Sequence, residues 1–247
     1  MLAIFRKEIS GFFSSLTGYI VIIVFLLVNS LFMWVFPGEL NILDSGYAGL
    51  DSLFFISPWV FLLLVPAITM RMIAEEKHLG TIELIYSKPI TERAVIYGKY
   101  FASVSLVLLS LIPCLIYYLS VYYLGETHGN LDIGGTWGAF TGLFFLASIY
   151  ASVGLFASSL TENQVIAFII AVMLCFILYA GFDSFAYMPG LKKLDEIIIG
   201  LGINEHYKSM SRGVIDINDV IYFLSVVVIF NEATRLKMLS RKWKKKN

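Results

Sequence analysis

The sequence contains little charge, and this scarcity limits the class of protein it can form. Only 15% of its 247 residues are Asp, Glu, Lys or Arg, whereas 58% are hydrophobic, and the mean hydropathy is +0.80. Soluble globular domains carry about 25% charged residues. No soluble domain fits this composition, and we predict a polytopic membrane protein.

Cysteine and histidine are also scarce. Cys114 and Cys175 both lie within long apolar runs, which argues against a disulfide framework. His78, His128 and His206 lie in the connections between such runs, and no HExxH or GxSxG motif occurs. An intramembrane hydrolase would need a histidine inside the bilayer, beside a metal ligand or a nucleophile. An enzyme of that class is therefore not expected.

Long apolar runs are abundant. About 20 apolar residues cross the hydrocarbon core of a bilayer, and the segments that qualify are 18–36, 53–73, 101–124, 137–160, 165–187 and 217–236. The last is the weakest, because its uninterrupted run, Val220–Phe230, is short and Asn231 and Glu232 follow it. An interfacial helix is the alternative for that segment. We predict an all-α membrane protein with six transmembrane helices in a single domain, residues 1–247.

The basic residues lie mainly on one side of this predicted bundle. If the N-terminus is inside, fourteen of the eighteen Lys and Arg residues are on the inner side. The four on the outer side are Lys192, Lys193, Lys208 and Arg212. Cytoplasmic connections carry the excess of basic residues in membrane proteins. We therefore expect both termini in the cytoplasm.

The segment before the first run, Met1–Thr17, has apolar residues on one side and charged residues on the other. This pattern predicts an amphipathic helix that lies in the membrane interface. An extension of the first transmembrane helix explains the pattern equally well.

A charged stretch, Ala74–Tyr100, separates the second and third runs and is predicted to form a helical hairpin. The spacing of apolar residues favours an amphipathic helix over Ala74–Tyr86. Pro89 disfavours helical geometry in the residue before it, so this helix should end near Ser87. Thr91 is expected to cap a second helix.

This stretch resembles the signature between the second and third spans of ABC-2 type permeases, the membrane subunits of ATP-driven exporters. The residues that carry the likeness are Glu76, Gly80–Leu84, Ser87, Pro89, Ile90 and Gly98–Tyr100. The resemblance covers nearly the whole chain, and it implies that the hairpin is the element on which a separate ATPase subunit docks. The implied docking residues are Glu75, Glu76, Lys77, Gly80, Thr81, Glu83 and Leu84.

The sequence has no recognisable ATP site. Its nearest fragment to a Walker loop, Gly98-Lys99, lacks the upstream glycine and is followed by Tyr100 instead of Ser or Thr. ATP and Mg²⁺ are therefore expected on the partner ATPase, and this chain is expected to bind no cofactor or metal and to have no enzyme activity. The expected partners are the ATPase, a second permease copy or a related permease, and lipid, but no nucleic acid.

The resemblance also implies two short outer helices between the fifth and sixth spans. The apolar spacing within 191–201 predicts the first, and Asn204 and Gly213 would cap and end the second. As an exit path or outer gate, Asp183, Lys193 and Arg212 are candidates to face a substrate. Interfacial snorkelling explains the two basic residues equally well.

Softer similarity relates the chain to the gliding-motility permease subunits within this superfamily. The similar stretches are Phe36–Tyr47, Asn130–Gly134 and Ser158–Phe168. Glu232 departs from the pattern, because the family more often has an apolar residue there. Arg235, one turn further on, could pair with it.

Two functions remain open at this stage. One is the transport subunit of an ATP-driven exporter, and the other is a membrane anchor of an ATP-driven assembly or motility complex that moves no solute. Both need the same hairpin. An ion-coupled carrier is disfavoured, because the spans keep their charges at their ends and no inverted repeat is found.

Overall fold

The computed structural model describes residues 1–126, 131–186 and 199–244. Within these ranges the regular elements are helices, and no strand occurs. In chain order they are α1 (Leu2–Ser14), α2 (Thr17–Ser30), α3 (Ile42–Ser45), α4 (Asp51–His78), α5 (Ile82–Tyr86), α6 (Glu92–Leu111), α7 (Leu115–Leu124), α8 (Ile133–Leu160), α9 (Gln164–Phe176), α10 (Phe182–Ala186), α11 (Ile203–Ser211) and α12 (Ile217–Lys244). The predicted all-α fold is confirmed.

Six helical segments in the described ranges are long and apolar enough to cross a membrane. They are Thr17–Val35, Asp51–His78, Glu92–Leu124, Ile133–Leu160, Gln164–Ser184 and Ile217–Ser240. Each overlaps one of the predicted runs, so the prediction of six transmembrane helices is confirmed. The sixth segment is one unbroken helix that continues well beyond Phe230.

The helix predicted for Ala74–Tyr86 is wrong in its limits, because α4 runs without a break from the second span to His78. Gly80 then adopts the left-handed conformation, with φ of +71°, and this turn ends α4 before the short helix α5. The predicted cap is confirmed: the Thr91 side-chain oxygen accepts a hydrogen bond from the Ala94 amide at 3.3 Å. We call residues 79–91 the hairpin.

The most buried span, α8, forms the centre of the bundle and packs against α4, α6, α9, α11 and α12. Small residues on α8 allow α4 to approach closely. A side chain at Gly154 would collide with the Thr69 hydroxyl. The Ser158 hydroxyl accepts hydrogen bonds from the Ile73 and Ala74 amides at 3.1 and 3.0 Å, so the two helices are joined directly.

The two ends of the bundle are built differently. At the hairpin end, α1 and the last part of α12 lie beside the hairpin, since Lys7 pairs with Glu76 and Arg93 pairs with Glu232. The N-terminal segment is a helix separate from α2, because Ser15 is extended between them. At the opposite end, α11 packs over the start of α8. Both ends of the chain's described part therefore lie at the hairpin end.

Two predicted helix caps are corrected by the structure. In the sequence Thr161, with Gln164 three residues later, fits a capping box for α9. The cap is instead Asn163, since its side chain accepts hydrogen bonds from two amides of the first turn at 2.9 and 3.3 Å. Asn204 does not cap α11 either, because Gly202 precedes this helix as its cap residue. Gly213 follows α11 with φ of +82°, as expected for a glycine that ends a helix. Most of the predicted first outer helix lies outside the described residues.

Candidate functional site at the hairpin end

The tip of the hairpin presents two exposed leucines. Leu79 and Leu84 are 64% and 67% exposed, whereas Ile82 between them is only 3% exposed and anchors α5 to the bundle. Thr81 and Glu83 are exposed around them. Exposed apolar patches that are rimmed by polar residues occur at sites of interaction with proteins or membranes.

Gly80 has a conformational role at this tip. Its φ of +71° is accessible to glycine without strain and disfavoured for residues with a side chain. Among the described residues nothing lies within 4 Å of the position that a Cβ would take. The turn therefore needs glycine for its backbone geometry.

A buried ionic cluster lies directly beneath the hairpin. The Lys99 ammonium on α6 is 1% exposed and contacts three acceptors: Glu8 Oε1 at 2.7 Å, Glu76 Oε1 at 2.8 Å and the Met72 carbonyl oxygen at 2.7 Å. An ammonium group has three N–H donors, so Lys99 is fully satisfied. Lys7 adds a second cation, with its Nζ 2.5 Å from Glu76 Oε1.

This cluster joins three helices and is balanced in charge. Lys7 and Glu8 lie on α1, Glu76 lies on α4 and Lys99 lies on α6. Burial alone would lower the pKa of the Lys7 ammonium, but its hydrogen bond to Glu76 and the negative charges of Glu76 and Glu8 outweigh burial and raise that pKa. Lys7 therefore stays charged. Removing one partner from such a buried set costs about 3–5 kcal/mol, because it leaves an uncompensated charge.

The cluster separates Glu76 from the other predicted docking residues. Sequence reasoning placed Glu76 on the polar side of an exposed amphipathic helix, but its residue exposure is only 8% and its carboxylate faces Lys7 and Lys99. We therefore leave Glu76 out of the docking surface proposed below. Lys77 is also turned inward, since its ammonium donates to the Ser159 carbonyl oxygen at the end of α8.

A cleft of about 430 Å³ opens beside the cluster, between α1 and the end of α4. Lys7, Arg71, Glu75 and Thr81 are among the residues that line it. Glu75 thus borders the cleft, whereas Leu84 lies on the outer surface of the hairpin. Three of the predicted docking residues, Glu75, Glu76 and Thr81, line this cleft together.

A second ionic link connects the start of α6, directly after the hairpin, to the last span. Arg93, in the first turn of α6, places its Nε 3.1 Å from Glu232 Oε1, and Arg235 Nη1 donates to Glu232 Oε2 at 2.9 Å. The predicted pair of Glu232 and Arg235 is therefore present. Because Glu232 pairs with Arg93, this part of α12 lies at the hairpin end of the bundle.

Sequence reasoning missed Glu8, Lys7 and Arg93 as members of these links. The amphipathic pattern of α1 was visible, but it does not reveal that Glu8 reaches a lysine 91 positions away. The signal that could have been used is Lys99, a lysine that directly precedes a long apolar run. A lysine in that position needs an acidic partner if its ammonium is buried.

The predicted outer-gate residues lie at the opposite end or outside the described residues. Asp183 borders a cavity of about 610 Å³ together with Trp59 and Tyr179, and its Oδ2 accepts a hydrogen bond from Asn204 Nδ2 at 2.6 Å. Arg212 is exposed and does not line this cavity. Lys193 lies outside the described residues. The structure therefore does not bring Asp183 and Arg212 together at this cavity.

A family model described as "ABC-2 family transporter protein" matches residues 2–242. The chain belongs to the ABC-2 transporter family. This ABC-2 chain is thus a multi-pass membrane protein and a membrane permease of an ABC transporter, a class in which ATPase activity lies on partner subunits. The family implies an ABC ATPase as its partner. No curated protein matches the sequence at a significant level, and the likeness to gliding-motility permeases stays a prediction.

Proposed function

We propose that this ABC-2 permease couples ATP hydrolysis by a separate ATPase subunit to export across a bacterial inner membrane. In this proposal the ATPase docks on the hairpin and moves it during its nucleotide cycle. ATP and Mg²⁺ bind to the ATPase and not to this chain. A second permease, identical or related, completes the pathway.

The observation that carries the proposal is the buried ionic cluster under the hairpin. It links α1, α4 and α6 at the point where the hairpin leaves the bundle. A displacement of the hairpin is therefore passed to the second and third spans together. Because α4 has 28 residues without a break, it is about 42 Å long and extends to the opposite end. Such a helix can carry a movement across the whole membrane.

The proposed docking surface consists of the exposed tip of the hairpin. Leu79 and Leu84 supply apolar contact, Gly80 and Thr81 lie between them, and Glu83 gives a charge beside them. Glu75, on the wall of the neighbouring cleft, and Lys77, at the end of α4, flank this surface.

The proposed orientation of the bundle in the membrane rests on the distribution of basic residues. The N-terminal helix, the hairpin and the end of α12 share one end of the bundle and contain most of the basic residues. Cytoplasmic segments of membrane proteins carry an excess of basic residues. In this proposal the hairpin end therefore faces the cytoplasm, where an ATPase is available.

The proposed exporter would belong to a gliding-motility system, and the alternative is a membrane anchor of an ATP-driven assembly or motility complex that turns over ATP without moving a solute. The cavity of about 610 Å³ at the opposite end favours transport over this alternative. Asp183 on its wall is the candidate contact for a substrate, with Lys193 and Arg212 as further candidates from the sequence. Vesicles that contain the whole complex distinguish the two, because only an exporter accumulates a solute when ATP is hydrolysed.

Docking is tested by Leu84→Glu, which puts a charge into the proposed apolar contact. We expect the variant to lose most of the ABC ATPase that co-purifies with the wild-type chain from native membranes. The matched control is Leu43→Glu, because Leu43 is 68% exposed at the opposite end of the bundle. Equal recovery of the ATPase with both variants would remove the docking assignment.

A further inference from the structure

His206 on α11 is held between two oxygen atoms at the end of the bundle opposite the hairpin. Its Nδ1 lies 2.6 Å from Asp219 Oδ1 in the first turn of α12, and its Nε2 lies 2.9 Å from the Gly200 carbonyl oxygen. The side chain of His206 is 18% exposed and that of Asp219 is 10% exposed. The ring therefore bridges α11, α12 and the turn before α11 in a largely buried position.

The two contacts define how many protons this site holds. A carbonyl oxygen accepts hydrogen bonds only, and so does an ionised carboxylate. A neutral imidazole has a single N–H, so it would leave one ring nitrogen with its lone pair facing an oxygen lone pair. A neutral histidine beside an ionised aspartate therefore makes only one of the two hydrogen bonds. Both form if one more proton is bound, either on the imidazole ring or on the carboxylate. The short distance to Asp219 agrees with a charge-assisted bond.

The surroundings place this extra proton on the ring. The Tyr222 ring stacks on His206, with centroids 3.9 Å apart and planes 20° from parallel. The face of an aromatic ring attracts a cation. Tyr222 is itself fixed, since its hydroxyl donates to the Leu201 carbonyl oxygen at 2.6 Å. A doubly protonated ring is therefore paired with a carboxylate on one edge and with a π face on its side.

The other charged groups nearby do not compete for His206. Glu205 is its neighbour on α11 and is exposed to solvent. Lys208 on the same helix is directed to Asp183, with a separation of 3.5 Å. Within the described part of the chain, the carboxyl group that faces the ring is thus that of Asp219 on α12.

We propose that His206 and Asp219 form a proton-binding site in which the bound proton closes α11 onto α12 and onto the turn at Gly200. Loss of the proton breaks one of the two hydrogen bonds of the ring and loosens α11, which borders the cavity that contains Asp183. This inference is independent of the docking of an ATPase at the other end of the molecule.

The protonation state can be measured directly with the full chain in lipid nanodiscs, labelled with ¹⁵N-histidine. The chain has three histidines, and the spectrum of His206→Gln identifies the His206 signals. At neutral pH, we expect both His206 nitrogens to show the similar shifts of an imidazolium. The widely separated shifts of a neutral ring would overturn the proposal, even if Asp219 carried the proton.

Two variants test whether Asp219 keeps the proton on His206, and amide exchange tests whether that proton holds α11 in place. Asp219→Asn should convert the His206 signals to those of a neutral ring at that pH, whereas Glu205→Gln, the matched control on α11, should leave them unchanged. The protection of amides in residues 203–211 from exchange, corrected for the base catalysis that speeds the exchange of every amide at higher pH, should fall on the order of tenfold when the wild-type proton is removed, as expected for one lost hydrogen bond to a charged group. An unchanged His206 spectrum in Asp219→Asn, or corrected protection that does not depend on pH, would contradict the proposal.

Discussion

The two ends of this bundle are held together by different means. At the hairpin end, four charged side chains form a compact cluster that joins three long helices, and a second ionic link reaches the last span. At the opposite end, the short helix α11 is held by separate contacts such as the hydrogen bond from Tyr207 to the Phe54 carbonyl oxygen, 2.7 Å long. A cavity also opens there. The contacts at the hairpin end therefore favour movement as one unit, whereas those at the opposite end join parts that can separate.

The largest expected effect comes from removing the central cation of the cluster. Lys99→Met leaves Glu8 and Glu76 facing each other with only the half-exposed Lys7, and should lower the free energy of unfolding by about 3–5 kcal/mol. Unfolding in mild detergent measures this. The control is Lys88→Met, because Lys88 is exposed in the same hairpin. Similar losses for both variants would show that the cluster does not stabilise the hairpin end.

A smaller effect is expected at the hairpin turn. Gly80→Ala forces a side chain into a backbone with φ of +71° and should cost about 1–2 kcal/mol without any steric clash. Gly11→Ala is the matched control, since Gly11 also has open space around it but lies within α1, where alanine is favoured by about 0.5–1 kcal/mol. The same unfolding assay should therefore give opposite signs for the two glycines. If Gly80→Ala left the free energy of unfolding unchanged, the conformational role of this residue would be contradicted.

The smallest effect is expected at the opposite end. Tyr207→Phe removes one hydrogen bond between α11 and α4 and should lower the free energy of unfolding by about 1 kcal/mol. Tyr47→Phe serves as its control, because Tyr47 is 81% exposed. If the loss at Tyr207 equalled that at Lys99, the proposed difference between the two ends would be removed.

The sequence predicts those parts of the molecule that depend on local patterns. Six apolar runs predict the six spans, Thr91 predicts the start of α6, and Gly213 follows the end of α11. Local patterns fail where two similar signals compete. Thr161 and Asn163 lie two positions apart, and both are residue types that favour a helix cap. The structure shows that Asn163 caps α9.

The candidate site was harder to predict, because its contacts join distant parts of the chain. The helical period placed Glu76 among exposed acidic residues, but Lys7 and Lys99 cover its carboxylate. Glu76 lies 69 positions from Lys7, and Glu8 lies 91 positions from Lys99. A helical period tells which residues share a face, but not which other helix covers that face. Leu84, which the family motif implies as a docking residue, is exposed at the tip.

The central claim is that the hairpin receives the movement of an ATPase, and cross-linking tests it most directly. Cys114 and Cys175 are fully buried, so a cysteine introduced at an exposed site reacts in their presence. In the active complex, Leu84→Cys with a short bifunctional reagent should give a covalent adduct with the ATPase, and Leu43→Cys should give none. An ATP-hydrolysing complex with no adduct at position 84, or with equal adducts at both positions, would contradict the account.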